Sequence, residues 1–201
     1  YKAQQNGFFD DEIVVIETAK DGMVSKDGCI RSDSTAEDLA ALKPSFHAKG
    51  SVTAGTSSPL TDGATAVLVC SEEYADSHGL NKLARIKSIA VSACAPEIMG
   101  IGPVNATQKA LQRAGLTLDD IDIVELNEAF AAQAISVNRG LGWDKDKVNV
   151  NGGAIALGHP IGASGCRVLV TLIHEMIKRD AKKGLATLCI GGGMGVSLAI
   201  E

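Results

Sequence analysis

Aromatic residues are scarce in this chain: one Trp, two Tyr and four Phe, 3% of 201 residues. A core with so few rings must rest on Ala, Val, Ile and Leu, and a hydrophobic content of 45% supplies them. No apolar stretch approaches the ~20 residues that a membrane-spanning helix needs. No long run of Lys and Arg stands anywhere, and the net charge is −5, which argues against non-specific nucleic-acid binding. The short cluster Lys178-Arg179 and Lys182-Lys183 reads as the solvated end of a helix, where cations complement the dipole. The five cysteines (Cys29, Cys70, Cys94, Cys166 and Cys189) form no CxxC pair and no metal-like spacing with the four histidines, so no metal site is expected. An odd, scattered set argues for reduced thiols in an intracellular compartment. The chain also lacks an initial Met; Tyr1 suits a piece of a longer polypeptide, and no targeting segment is read from it.

What is abundant is glycine, with 22 residues. Nearly a third of the segment Asn149–Gly165 is glycine, and one histidine, His159, sits inside it. Without a Cβ, glycine lets backbone amides approach a ligand closely, and a histidine there can exchange protons near neutral pH. Pro160 restricts His159 to extended or turn backbone. A helix predicted from Ser164 to about Arg179, with Val168, Leu169, Leu172, Ile173, Met176 and Ile177 on its apolar side, points its free N–H groups toward the same region. Taken alone, such a histidine is more often a helix-entry residue fixed by a backbone hydrogen bond. Cys189 ends an apolar run from Leu185, and taken alone is more often core. Gly191-Gly192-Gly193 follow at once and offer room and amide donors. A thiol there suits proton transfer at carbon if its pKa is lowered. Asn127 stands between a predicted strand, Ile121–Leu126, and a helix predicted over Glu128–Arg139; the plain reading is an N-cap.

The rest of the chain reads as alternating strands and helices, which argues for an α/β layered domain. Ile13–Ile16 is predicted as a strand, and Asp21-Gly22 and Asp27-Gly28 as turns. Ser34 or Thr35 caps a helix over Ala36–Leu42, with Pro44 beyond it. Ala64–Cys70 is predicted as a strand buried on both faces, and Ser71–Ser77 as a short helix after an N-cap serine. Ala84–Ser92 is a strand, a helix starts at Asn105 or Thr107 and ends at Gly115, and Lys147–Val150 is a short strand. Leu185–Ile190 and Val196–Ile200 flank the three glycines as a hairpin.

Three motifs, Asn127-Glu128-Ala129-Phe130, Gly158-His159-Pro160 and Cys189-Ile190-Gly191, stand in the order found in thiolases, the enzymes that make or cleave 3-ketoacyl-CoA thioesters. The chain resembles about the C-terminal half of such an enzyme. The resemblance implies a thiolase-like layered α/β fold. Residues 1–50 would end the lid subdomain, 51–81 would complete the N-terminal core half, and 82–201 would form the C-terminal core half. It assigns His159 to activation of a nucleophilic cysteine on an N-terminal half outside these residues. Cys189 becomes the acid/base at carbon, and Asn127 the holder of a water near the thioester oxygen. The Gly191 amide joins a second oxyanion hole. Glu128 is read as a network member rather than a base. Ser58 and Phe130 would meet the pantetheine, Arg31 the adenine end of CoA, and Met99 the acyl pocket. CoA thioesters would be substrate and product, with no separate cofactor or metal. The residues given would be inactive alone and would need that other half. The complete enzyme would be a homodimer or homotetramer inside the cell, cytoplasmic in a bacterium and mitochondrial, peroxisomal or cytosolic otherwise. The alternative is a non-catalytic acyl-CoA- or lipid-binding or dimerising module of the same fold. The presence of both His159 and Cys189 speaks against it, since a binder needs neither.

Overall fold

The structure, a computed structural model, describes residues 1–201. Its centre is a four-stranded sheet. Strand β3 (Ile86–Ala93), β4 (Ile123–Leu126), β5 (Gly184–Ile190) and β6 (Met194–Ile200) lie in the order β3-β6-β5-β4. β4 and β5 run parallel, and the other two pairings are antiparallel. The three-glycine hairpin forms as expected, with Ile190 opposite Met194. Gly193 has φ +89°, and a Cβ on it would collide with the Cys94 carbonyl, so this corner requires glycine.

Helices cover the sheet on both faces. α4 (Gly102–Ala114) begins earlier than Asn105, because Pro103 serves the first turn, where a missing N–H costs nothing. It ends at Gly115 in the left-handed region, φ +67°. α5 (Ala131–Leu141) packs beside it. Small Ser88, Ala90, Ser197 and Ala199 let α4 sit close, and the Ser88 hydroxyl donates to the Ala110 carbonyl at 2.7 Å. On the opposite face α7 (Ser164–Arg179) runs over β4 and β5. Val168, Leu172, Ile173 and Met176 pack there on Ile123, Ala186 and Ile200. Leu172 and Val168 are fully buried, as the helical spacing of apolar residues predicts; Ile177 remains exposed.

The first 85 residues form a looser apron. α1 (Lys2–Gln5) leads into a segment laid along α7, where Lys178 donates to the Phe8 carbonyl and pairs with Asp11 at 3.3 Å. A two-stranded ribbon joins β1 (Ile16–Thr18) to β2 (Gly22–Val24). Only Ile16 of the predicted Ile13–Ile16 strand pairs. α2 (Ala36–Ala40) is capped by Thr35, whose hydroxyl accepts from the Asp38 amide at 3.1 Å. α3 (Glu72–Ser77) is capped by Ser71 in the same way.

Four further expectations are corrected. Ala64–Cys70 forms no strand, and Leu68 and Val69 are 72% and 64% exposed, because no strand of this chain pairs with the segment. Lys147–Val150 is a short 3-10 turn over Lys145–Lys147 followed by a single bridge from Val148 to Val124. α5 starts at Ala131 rather than Glu128, since residues 127–130 are held in extended or turn backbone by other contacts. The N-cap position of α5 therefore belongs to Phe130, and Asn127 caps nothing.

Candidate active site

The glycine-rich segment holds His159 by a chain of local hydrogen bonds. The short helix α6 (Ala154–Leu157) ends at Gly158, whose φ of +105° turns the backbone toward α7. His159 Nδ1 then lies 2.6 Å from Ser164 Oγ, and Ser164 Oγ donates to the Pro160 carbonyl at 3.0 Å. A hydroxyl has one proton. In the tautomer that carries its proton on Nδ1, Nδ1 donates to Oγ, Oγ donates to the Pro160 carbonyl, and Nε2 is left as a free lone pair. Burial, and then the Arg167 guanidinium, push the imidazole below its ordinary value, so it is neutral at pH 7. From the other side the His159 amide donates to the Pro59 carbonyl at 3.2 Å, and Leu60 bridges to His159 in parallel.

Asn127 lies at the C-terminal end of β4, beside β5. Its amide donates to the Thr187 carbonyl at 3.0 Å, which places it next to the strand that carries Cys189. The side chain is 1% exposed, and neither Oδ1 nor Nδ2 has a protein partner. Leaving a buried amide so costs about 1–3 kcal/mol, so the position is not explained by fold alone. Glu128 has a different task. Its carboxylate accepts from Asn149 Nδ2 at 3.1 Å and from the Ile155 amide at 3.3 Å. A Cβ on Gly153 would collide with that carboxylate. The Asn149 side chain in turn makes two 2.8 Å bonds with the Leu126 backbone. Glu128 and Asn149 thus clamp the histidine loop to the end of β4.

Cys189 is half-buried at the end of β5. Its thiol is pushed up, not down, by burial first and by nearby Cys94 as a lesser cause. The resting group is therefore a thiol, because no cation faces it to favour the thiolate. Gly191 is exposed, nothing lies near the place a Cβ would take, and its N–H donates to no protein acceptor.

Ser58 and Phe130 come together as neighbours. Ser57 bridges to Phe130, the Ser58 amide donates to the Ala129 carbonyl at 3.0 Å, and its hydroxyl donates there at 3.3 Å. Residues 57–60 therefore span from Phe130 to His159. Phe46 packs edge-on against Phe130, with centroids 6.0 Å apart, and is 77% exposed. Sequence reasoning missed it; a phenylalanine in an otherwise polar, irregular stretch of an aromatic-poor chain was the available signal. Met99 is half-buried in the 3-10 helix Pro96–Ile101, against α5. Arg31 is exposed, makes no ion pair or side-chain hydrogen bond, and is not brought to the others by any contact. A cleft around Trp143 and another around Arg179 contain none of these residues.

Residues 80–201 match the family model described as the thiolase C-terminal domain, and residues 1–73 the one described as the thiolase N-terminal domain. The acetyl-CoA acetyltransferase of Chromobacterium violaceum is 62% identical over 99% of this chain and 52% of its own length. That of Paracoccus denitrificans is 58% identical over 99% of this chain and 52% of its own length. The crystal structure of the Bacillus anthracis acetyl-CoA acetyltransferase superposes with a TM-score of 0.95 at 50% identity, covering 100% of this chain and 52% of that one. Human mitochondrial 3-ketoacyl-CoA thiolase in complex with CoA gives 0.96 at 48% identity, covering 99% and 50%. The chain spans about half the length of the curated relatives it matches.

Proposed function

Because the chain belongs to the thiolase family, we propose that it carries the His159 and Cys189 side of an acyl-CoA:acetyl-CoA C-acyltransferase. The enzyme would cleave 3-ketoacyl-CoA with CoA, or condense two acetyl-CoA. The observation that carries this reading is the chain His159–Ser164–Pro160, which holds the ring by Nδ1 and leaves Nε2 without a protein partner. Such a group is ready to take a proton from a cysteine thiol. That nucleophile is placed outside residues 1–201, on an N-terminal half of the polypeptide. None of Cys29, Cys70, Cys94 and Cys166 makes a hydrogen bond to His159, and the residues given are expected to be inactive alone.

In the condensing direction the first half-reaction moves the acetyl group from acetyl-CoA to that cysteine: His159 takes the thiol proton and gives it to the departing CoA sulfur. The thioester oxygen gains negative charge, which the buried Asn127 amide is placed to stabilise through a water. In the second half-reaction Cys189 moves the proton at the α-carbon, and the free Gly191 amide meets the second thioester oxygen. Cleavage needs a proton donor at carbon, so the raised thiol of Cys189 suits that direction in its resting form. Condensation runs the same transfer in reverse: the thiolate that cleavage leaves on Cys189 takes the α-proton and becomes the thiol again.

Ser58, Phe130 and the adjoining Phe46 form the surface proposed for the pantetheine, with Met99 bordering the acyl group and Arg31 at the adenine end. CoA thioesters serve as substrate and product, and no further cofactor or metal is invoked. The complete enzyme is proposed to be a homodimer or homotetramer in an intracellular compartment; no helix here is long and apolar enough to cross a membrane. The test is His159→Ala in the complete enzyme, measured as the rate of acyl-enzyme formation by rapid-quench mass spectrometry. A loss of about 10²–10⁴-fold is expected; an unchanged acylation burst removes His159 from this role.

A further inference from the structure

Glu128 has no part in the steps above, yet its side chain ties the Asn127 end of the site to the His159 end. It follows Asn127 directly, and the Asn127 amide is pinned to the Thr187 carbonyl of β5 at 3.0 Å. From there the Glu128 carboxylate crosses to the glycine-rich segment. Oε1 accepts from Asn149 Nδ2 at 3.1 Å, and Oε2 accepts from the Ile155 amide at 3.3 Å. That amide has no backbone acceptor. Ile155 lies in α6, which ends at Gly158, immediately before His159. Asn149 uses both protons of its side-chain amide, one on the Leu126 carbonyl at 2.8 Å and one on Glu128. Ser164 fixes His159 from α7; Glu128 fixes the same loop from the end of β4.

The fit is specific on the facing side as well. Gly153 is buried, with φ −140° and ψ −168°, extended backbone that any residue adopts. Conformation therefore does not require glycine there; space does. A Cβ on Gly153 would overlap the Glu128 carboxylate carbon and both its oxygens. We propose that Glu128 is a positioning residue. By joining the residue after Asn127 to the helix that leads into His159, it sets the separation of the oxyanion-binding amide and the base, and Gly153 is glycine to admit its carboxylate. The inference rests on the reading of Asn127 and His159 as partners in acyl transfer, and adds what holds them in register. A misplacement of about 1 Å at such a site can cost 10²-fold in rate.

The experiment is a double-mutant cycle on Glu128→Ala and Gly153→Ala. In the complete enzyme each single variant should lower the rate of acyl-enzyme formation by about 10²-fold, with KM for acyl-CoA little changed. The double variant should fall no further than Glu128→Ala, because the added methyl then meets no carboxylate. Losses that multiply overturn the proposal, as does a Gly153→Ala variant that acylates like the parent. A loss carried by KM instead would assign Glu128 to CoA binding and overturn it too. Glu128→Gln should show an intermediate loss, since one amide oxygen cannot serve two N–H donors. The cycle is also read without catalysis, by NMR of the 201-residue chain. His159 ring signals should shift in either single variant, and Gly153→Ala should add no shift in the Glu128→Ala background; additive shifts refute the coupling. One arm requires no variant to fold: the Ile155 amide of the unsubstituted chain should be protected from hydrogen exchange, and exchange at the rate of a free amide removes the Glu128 contact. If the NMR coupling stands while His159→Ala acylates normally, the base assignment fails and the control of the loop by Glu128 survives.

Discussion

Residues 64–70 and residues 184–190 are both mostly apolar as strings of letters, and the protein treats them in opposite ways. Gly184–Ile190 lies between β4 and β6, with Leu185 at 0% exposure. Ala64–Cys70 is extended but unpaired, with Leu68 at 72%. The same contrast holds more widely: before Ile86 only Phe9, Thr53 and Ala75 are buried, whereas the other buried residues come after it, most of them on the sheet and its helices. Apolarity makes burial favourable, but a strand also needs at least one hydrogen-bonding neighbour, and a lone segment has none. The site straddles the two regions. His159, Asn127 and Cys189 stand on the packed part, while Ser58 and Phe46 reach them from the apron.

The comparison breaks hardest at the chemistry. Cys189→Ser in the complete enzyme should lower solvent deuterium exchange into acetyl-CoA by about 10²–10⁴-fold, while acyl-enzyme formation measured by mass spectrometry persists. Normal exchange would return Cys189 to being a core residue. Next comes packing. Leu172→Ala should cost about 2–5 kcal/mol in urea unfolding of the chain, since it removes a fully buried side chain. Leu68→Ala should stay within about 0.5 kcal/mol of the parent. Equal costs for the two would show that the apron segment is buried in solution.

A smaller effect sharpens the contact between the regions. Glu12 of the apron accepts from Thr171 of α7 at 3.2 Å, and burial pushes its carboxyl up to about 7. The folded chain therefore holds this proton more tightly than the unfolded chain, where the value is 4.5. Its contribution is fully present below pH 4.5 and is lost as pH rises through 7. Glu12→Gln should remove this dependence, so the urea midpoint of the variant gains on the parent between pH 5 and pH 8. A parallel pH course for the two would place Glu12 in water.

Much of the packed region was legible. The apolar spacing of α7, the hairpin around Gly191–Gly193 and the caps at Thr35 and Ser71 all follow from local rules, and the structure has them. The misreadings share a cause. Ala64–Cys70, Lys147–Val150 and the start of α5 depend on partners distant in sequence, which no local window contains. Asn127 is the clearest case. Its type and place suit an N-cap, yet Ser57 pairs with Phe130 and Glu128 reaches Asn149, so the backbone stays extended past it. Phe46 became visible only through its packing on Phe130.

By itself the sequence determined the α/β class, the family and the residue types able to move protons, because motif order and hydrophobic periodicity are written along one dimension. The tertiary structure decided which apolar runs are buried, that Asn127 carries an unpaired buried amide, and that burial raises the Cys189 thiol. Those properties depend on what surrounds a group in space, since desolvation and Coulomb forces act through distance and dielectric rather than through chain order.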